Sequence, residues 1–176
     1  MVHLFDPTIY ENLKVVLEGA IYDLDFAKEI HVFNRSDTID LAKMSREFSM
    51  QFKTTTANND CPIAEVRLLS TLQDFATEKI EQDEKAAGCV LDVILFTTIQ
   101  NTANDCDKIE KKLMQIWQNR PIISQSISFL YGNERILTDK ISIRFGRKIN
   151  EDQIEDFEQL LSYTLQSLQF LEDYFN

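Results

Sequence analysis

Glycine, proline, histidine and cysteine are all scarce in this chain of 176 residues, which holds 4, 3, 2 and 3 of them. Four glycines, Gly19, Gly88, Gly132 and Gly146, stand too far apart to build a phosphate-cradling loop, so nucleotide chemistry by the standard routes is disfavoured and no cofactor is expected. His3 and His31 fall in neither HExxH nor HxxxH spacing, and Cys61, Cys89 and Cys106 include no CxxC pair. Local motifs therefore predict no metal site. An odd number of unpaired cysteines reads as reduced thiols in a cytoplasmic protein, structural rather than catalytic. No apolar run approaches the roughly 18 residues that a membrane span needs. Residues 1–30 carry Asp6, Glu11, Glu18, Asp23 and Asp25 where a secretory signal would need a basic start and a continuous apolar core.

Basic residues are also in deficit, 18 Lys and Arg against 29 Asp and Glu, a formal net charge of -11. Such a chain lacks the cations that neutralise phosphate, which argues against nucleic acid or an anionic membrane as a general partner. The imbalance is uneven along the chain. From 150 to 176 the acids Glu151, Asp152, Glu155, Asp156, Glu158, Glu172 and Asp173 meet no Lys or Arg at all. Residues 134–148 carry Arg135, Lys140, Arg144, Arg147 and Lys148 against Glu134 and Asp139. These two segments are candidates to face each other, within a subunit or between subunits.

What is present is an ordinary globular composition, 44% apolar and 27% charged, in a chain long enough to bury its own core. No proline-rich or glycine/serine-rich linker and no internal repeat divides it, so residues 1–176 are expected to form one domain. Leu13, Val15 and Leu17 alternate with Lys14, Val16 and Glu18, and the register runs on through Gly19 to Ala20, Tyr22 and Leu24. That pattern predicts a strand with a bulge at the glycine. Ile30–Asn34 follows as its hairpin partner, turning at Ala27-Lys28, and Phe48, Met50 and Phe52 mark a third strand with one wet face.

Cys61 to about Leu68 reads as a strand reached through Asn58-Asn59-Asp60, and Ser70–Ala87 as a helix with a Ser70/Gln73 capping box and a stop at Gly88. A single helix from Pro62 is the rival reading. Cys89–Gln100 is the most apolar run and the candidate central strand. Asn104 or Asp105 caps a helix to about Asn119, which Pro121 ends. Ser124–Tyr131 and Arg135–Phe145 form a hairpin about Gly132-Asn133. The expected order is β-β-β-β-α-β-α-β-β-α, an α+β domain with a largely antiparallel sheet of about five to seven strands, three helices, and a long C-terminal helix packed on the sheet.

That last helix, capped by Asn150, is the most legible segment. At about 100° per residue, Ile154, Phe157, Leu160, Leu161, Leu165, Leu168, Leu171 and Phe175 share one stripe. Tyr163, Phe170 and Tyr174 fall on the opposite side, and a helix on a monomer surface has no need of a second stripe. Those three aromatics are the candidate interface. They lead to the preferred expectation, a non-enzymatic interaction or regulatory module that self-associates as a homodimer through this helix. The alternative is a small-molecule-binding domain with an apolar pocket lined by Phe48, Phe96, Phe129 and Trp117. A third reading is an enzyme using Asp23, Asp25 and His31, since alternation on a strand would set both carboxylates on one face near the histidine. The residues by themselves assign no reaction.

Overall fold

A computed structural model describes residues 7–57, 62–81 and 86–175. The elements run α1 (Thr8–Phe26), β1 (Ile30–Asp40), β2 (Ser45–Thr54), β3 (Ile63–Ser70), α2 (Leu72–Ala76) with a π turn (Thr77–Glu81), β4 (Val90–Ile99), α3 (Thr102–Ile116), β5 (Ile122–Leu130), β6 (Asn133–Arg144) and α4 (Asp156–Phe175). The six strands form one fully antiparallel sheet in the order β1-β2-β3-β4-β6-β5. The α+β class and the C-terminal helix packed on the sheet match the reading of the sequence, with four helices in place of three. No helix among the described residues is long and apolar enough to cross a membrane.

The first element is a helix, not the expected bulged strand. Tyr10, Leu13, Leu17 and Ile21 are all fully buried, a spacing of three and four that lines one side of an α-helix, while Val15 is 64% exposed. Gly19 makes no bulge and serves no close approach among the described residues, where a Cβ would meet nothing within 4 Å. A glycine inside an exposed helix face costs conformational entropy and returns nothing, so Gly19→Ala is expected to raise stability by about 0.5–1 kcal/mol in urea denaturation. A loss of stability instead would mean that the backbone at this position is not helical.

Alternation is well obeyed in the strands that follow. Phe48, Met50, Phe52 and Thr54 of β2 and Ala64, Val66, Leu68 and Ser70 of β3 point into the core and their neighbours point away. The β3 segment is thus a strand, and the rival single helix from Pro62 is excluded. The helix after it is shorter than expected and shifted by one residue. Its capping box is Thr71 with Asp74, whose carboxylate accepts from both the Thr71 amide and hydroxyl, because Ser70 is still paired in the sheet opposite Arg46. Leu68 points inward on the strand, while Leu72 and Ile80 are exposed. The Asn58–Asp60 link and Cys61 lie outside the described residues.

In β4, Leu91, Val93, Leu95 and Ile99 face the helices while Ile94, on the other face, is also buried, as expected for the central strand. Asn101, ahead of the expected Asn104 or Asp105, caps α3 by accepting from the Asn104 amide. The hairpin forms, but its turn lies one residue earlier than expected, at Tyr131-Gly132: Gly132 stands at φ 85°, and Asn133 of β6 already pairs with Leu130. Gly88 is required by a close approach. Cys89 and Ile149 exchange two backbone hydrogen bonds, and a Cβ on Gly88 would stand 2.6 Å from the Ile149 carbonyl oxygen. Asn150 forms a capping box with Gln153 over a short 3-10 turn, Glu151–Gln153, after which α4 begins at Asp156.

Three helices lie on one face of the sheet, with α4 in contact with both α1 and α3 and with strands β2, β3 and β4 beneath it. Phe157, Leu161, Leu168 and Leu171 are the buried apolar residues of α4, joined by Thr164 and Ser167, whose hydroxyls donate to the carbonyls of Leu160 and Tyr163. The middle helix of three needs packing groups toward the sheet and toward both flanks. That requirement, not a single buried stripe, sets its sequence.

Candidate functional site

The second aromatic stripe of α4 faces α3. The Tyr163 ring stands edge-on to Trp117 with centroids 5.5 Å apart, and its hydroxyl accepts from Gln118 and Gln159. Tyr174 donates to Asp105 at 3.0 Å, lies 5.8 Å from Phe170, and carries Lys108 over its ring. All three aromatics are half-buried. Their own chain therefore supplies contacts on this flank, which leaves a reduced apolar area there for a second copy.

The other flank of α4 is different. Between α1 and α4 runs a groove of about 740 Å³, floored by Val16, Ala20 and Leu24 of α1, by Leu161 and Leu165 of α4, and by Ile154 just before α4. Asp23, Glu29, Glu155 and Glu158 stand around it, and its lining among the described residues includes no Lys or Arg. The only base on α1, Lys14, is engaged elsewhere by Glu11 and Asp37. An apolar floor with carboxylates on both walls concentrates negative potential where a partner would have to lie. In the sequence its signal was the unopposed acidity of 150–176. The α1 wall was hidden because that segment read as a strand.

The basic segment before α4 does not neutralise it. Among the described residues Arg147 pairs with Asp156, 3.7 Å apart and both exposed, and Lys148 pairs with the buried Asp74. The first of these is worth little in water.

The catalytic reading built on Asp23, Asp25 and His31 required a strand that is not there. Two residues apart on a helix, Asp23 and Asp25 diverge, so Asp23 borders the α1–α4 groove and Asp25 accepts from the Val32 amide at 3.1 Å. His31 is exposed on β1 opposite Lys53, not opposite Leu24. Asp25 and His31 border one shallow depression together. No group of three or more His, Cys, Asp or Glu among the described residues could hold a metal ion.

The four aromatics expected to line a pocket do not share one. Phe48 is core under the helices, Phe96 lies on the opposite face of the sheet with Lys140 over its ring, and Phe129 is exposed on the β5–β6 hairpin. Trp117 packs into the core between Phe145 and Tyr163 and donates to Ser167 at 3.0 Å. A separate cleft of about 360 Å³ opens beside Trp117, with Arg120 and Arg147 among its lining residues.

Neither Cys89 nor Cys106 is activated. Burial pushes the Cys89 thiol up to about 12, reinforced by the charges of Asp74 and Glu78. Cys106 is raised by burial and then by the charge of Asp139. Both stay protonated and unreactive near neutral pH, as structural thiols do.

No protein-family model, no curated protein and no solved structure matches this chain.

Proposed function

We propose that the protein is a non-enzymatic interaction module whose α1–α4 groove receives a basic amphipathic helix. The observation that carries this reading is an apolar floor between two adjacent helices whose charged lining residues among those described are all acidic. Helix-in-groove recognition uses apolar anchors at i, i+3, i+4 and i+7, and lysines or arginines beside those anchors would meet Asp23, Glu29, Glu155 and Glu158. Each anchor that leaves water contributes about 1.5–3 kcal/mol before the losses of association, so the apolar anchors alone give weak binding and the charge pairs at the rim have to add to it. The C-terminal helix remains the interacting element, through the flank opposite Tyr163, Phe170 and Tyr174.

The test is fluorescence anisotropy with a labelled helical peptide carrying leucines at i, i+3, i+4 and i+7 and lysines elsewhere. A peptide of the same composition in scrambled order is the control for plain charge attraction. Saturable binding of the patterned peptide is expected, falling as salt rises. The double change Glu155→Lys/Glu158→Lys is expected to weaken it about tenfold, and Ala20→Arg to block it by filling the floor. Equal binding of the patterned and scrambled peptides, or indifference to Ala20→Arg, would overturn the assignment.

A further inference from the structure

The two edges of the sheet are built differently. β1, at one edge, carries His31, Arg35, Asp37 and Asp40, has a register irregularity between Val32 and Asn34, and is tied to α1 through Arg35–Glu18 and Lys14–Asp37. Charge, bulges and covering side chains are the ordinary means by which an edge strand is kept from pairing with another chain. β5, at the opposite edge, has none of the charge. Its nine residues, IISQSISFL, include no Lys, Arg, Asp, Glu, His or Pro, and among the described residues no strand pairs with its outer side.

Both edges expose apolar side chains, Phe33 and Ile39 on β1 and Ile122, Ile127, Phe129 and Leu130 on β5, but only on β5 do they stand without charged neighbours in the strand, with Ser126 and Ser128 exposed between them. A long, uncharged, apolar-ended edge left in water is an aggregation hazard, and natural sheets retain one where something pairs with it.

The order of residues in β5 indicates what that partner is. Folded back on itself about Ser126, the strand is self-complementary. Ser126 falls opposite Ser126, Ser124 opposite Ser128, and Ile122 opposite Leu130 on the face away from the helices. Gln125 falls opposite Ile127 and Ile123 opposite Phe129 on the other face. Ile122 and Leu130 at the two ends, and Ile123 and Phe129, meet apolar partners on the second strand, and the face away from the helices is closed at the centre by small hydroxyl side chains, with Ile127 set against Gln125 on the other face. No like charges meet along the line. The register shift between β5 and β6 is confined to the stretch after Ser128, so the central pairs lie in regular strand.

We propose that β5 pairs antiparallel with β5 of a second copy of this chain about a two-fold axis at Ser126, joining the two six-stranded sheets edge to edge. This pairing and the helix-binding groove use different surfaces, β5 at one edge and the α1–α4 flank on the helical layer, so either can fail while the other holds.

The experiment is sedimentation equilibrium on the full chain, wild type against Ser126→Lys and Ser126→Thr, with circular dichroism and thermal unfolding to confirm that each variant is folded. Residue 126 points to solvent in the monomer, so a lysine there leaves the core untouched and sets two ammonium groups directly opposite one another across the axis. A wild-type dimer is expected, with Ser126→Lys raising its dissociation constant at least about tenfold and Ser126→Thr leaving it equal or lower. The register has its own readout. With Cys61 and Cys106 changed to Ser, Ser126→Cys is expected to form an intermolecular disulfide under an added oxidant, because self-opposed residues in an antiparallel pair bring their Cα atoms within disulfide reach, while Ser124→Cys is not. A wild-type monomer at every accessible concentration, or a dimer that Ser126→Lys does not weaken, overturns the proposal. A dimer weakened by Ser126→Lys in which Ser124→Cys crosslinks in place of Ser126→Cys overturns the stated register.

Discussion

Asp139→Asn is expected to stabilise the protein at neutral pH by about 2–3 kcal/mol, and the gain is expected to vanish on acidification. Asp139 sits on β6 between Thr97 and Ile127, fully buried, and neither carboxylate oxygen has a hydrogen-bond partner among the described residues. The side-chain oxygen of Gln125 on the neighbouring strand is also buried and has no partner among the described residues, while its amide group donates to the Cys106 carbonyl. Burial alone pushes the Asp139 carboxyl up from 3.8 to about 6. The sign follows from linkage. An acid that is harder to ionise in the folded state than in the unfolded one weakens the fold once ionised, by about 1.4 kcal/mol for every tenfold loss of acidity. That cost is full above about pH 6, shrinks as the pH falls through 6, and is gone below about 4. Urea denaturation of the two proteins at pH 7, 5.5 and 4 reads it directly. An Asn variant less stable than wild type at pH 7, or a difference that does not shrink with acid, would show that the carboxylate has a stabilising partner.

The second large effect has the opposite sign. Arg46→Met is expected to cost about 2–3 kcal/mol, because Arg46 is the cation that fastens α1 to the first two strands. Its guanidinium donates to Glu11 and to Asp37, and it lies over the Tyr10 ring at 4.8 Å, with only 11% of the side chain exposed. Lys14 completes the set, 2.8 Å from Glu11 and 2.9 Å from Asp37. Removing Arg46 leaves two carboxylates to one lysine in a half-dry site, and an unpaired buried charge is what makes breaking such a group costly. The figure is set below the fully buried case because Glu11 and Asp37 keep some contact with water. Burial pushes the Asp37 carboxyl up, but Lys14 and Arg46 outweigh it and hold the group below its usual range. Its stabilising contribution is therefore complete above about pH 4 and lost as the pH falls through its lowered value. In Arg46→Met the acid-unfolding midpoint is expected to move to higher pH, and the added change Asp37→Asn to recover part of the loss at pH 7. Strict additivity of the two changes would show that the residues are not coupled.

Much of this fold was legible in the residues. Strands β2 and β3 alternate cleanly because one face is core and the other is water, and β4 reads as continuous apolar sequence because it is central. The β5–β6 turn is marked by Gly132, within one residue of its expected place, and Asn150 makes its capping box on the short turn that leads into the last helix. The helix α1 was not legible, for an arithmetical reason. Leu13, Leu17 and Ile21 are spaced by four, a step that keeps a residue on one side both of a helix and of a strand. Val15 and Ala20 then made the strand pattern look complete. Only the position of Tyr10 in the core and the exposure of Val15 separate the two periods, and both are set by what packs alongside.

The candidate sites divide along the same line. Composition by itself established a chain with few glycines, few histidines and an excess of acid, which removes phosphate-cradling loops and local zinc motifs from consideration, and it placed that acid on the C-terminal helix. It could not say that α4 would lie between two other helices, one of which takes up Tyr163 and Tyr174 while the other leaves an acidic groove open. Nor could it say that β5 would end at a sheet edge, where its lack of charge becomes significant. Local patterns follow from the geometry of one helix or one strand, which each residue shares with near neighbours. Which flanks and edges remain uncovered depends on the order in which distant segments pack, and only the tertiary structure decides that.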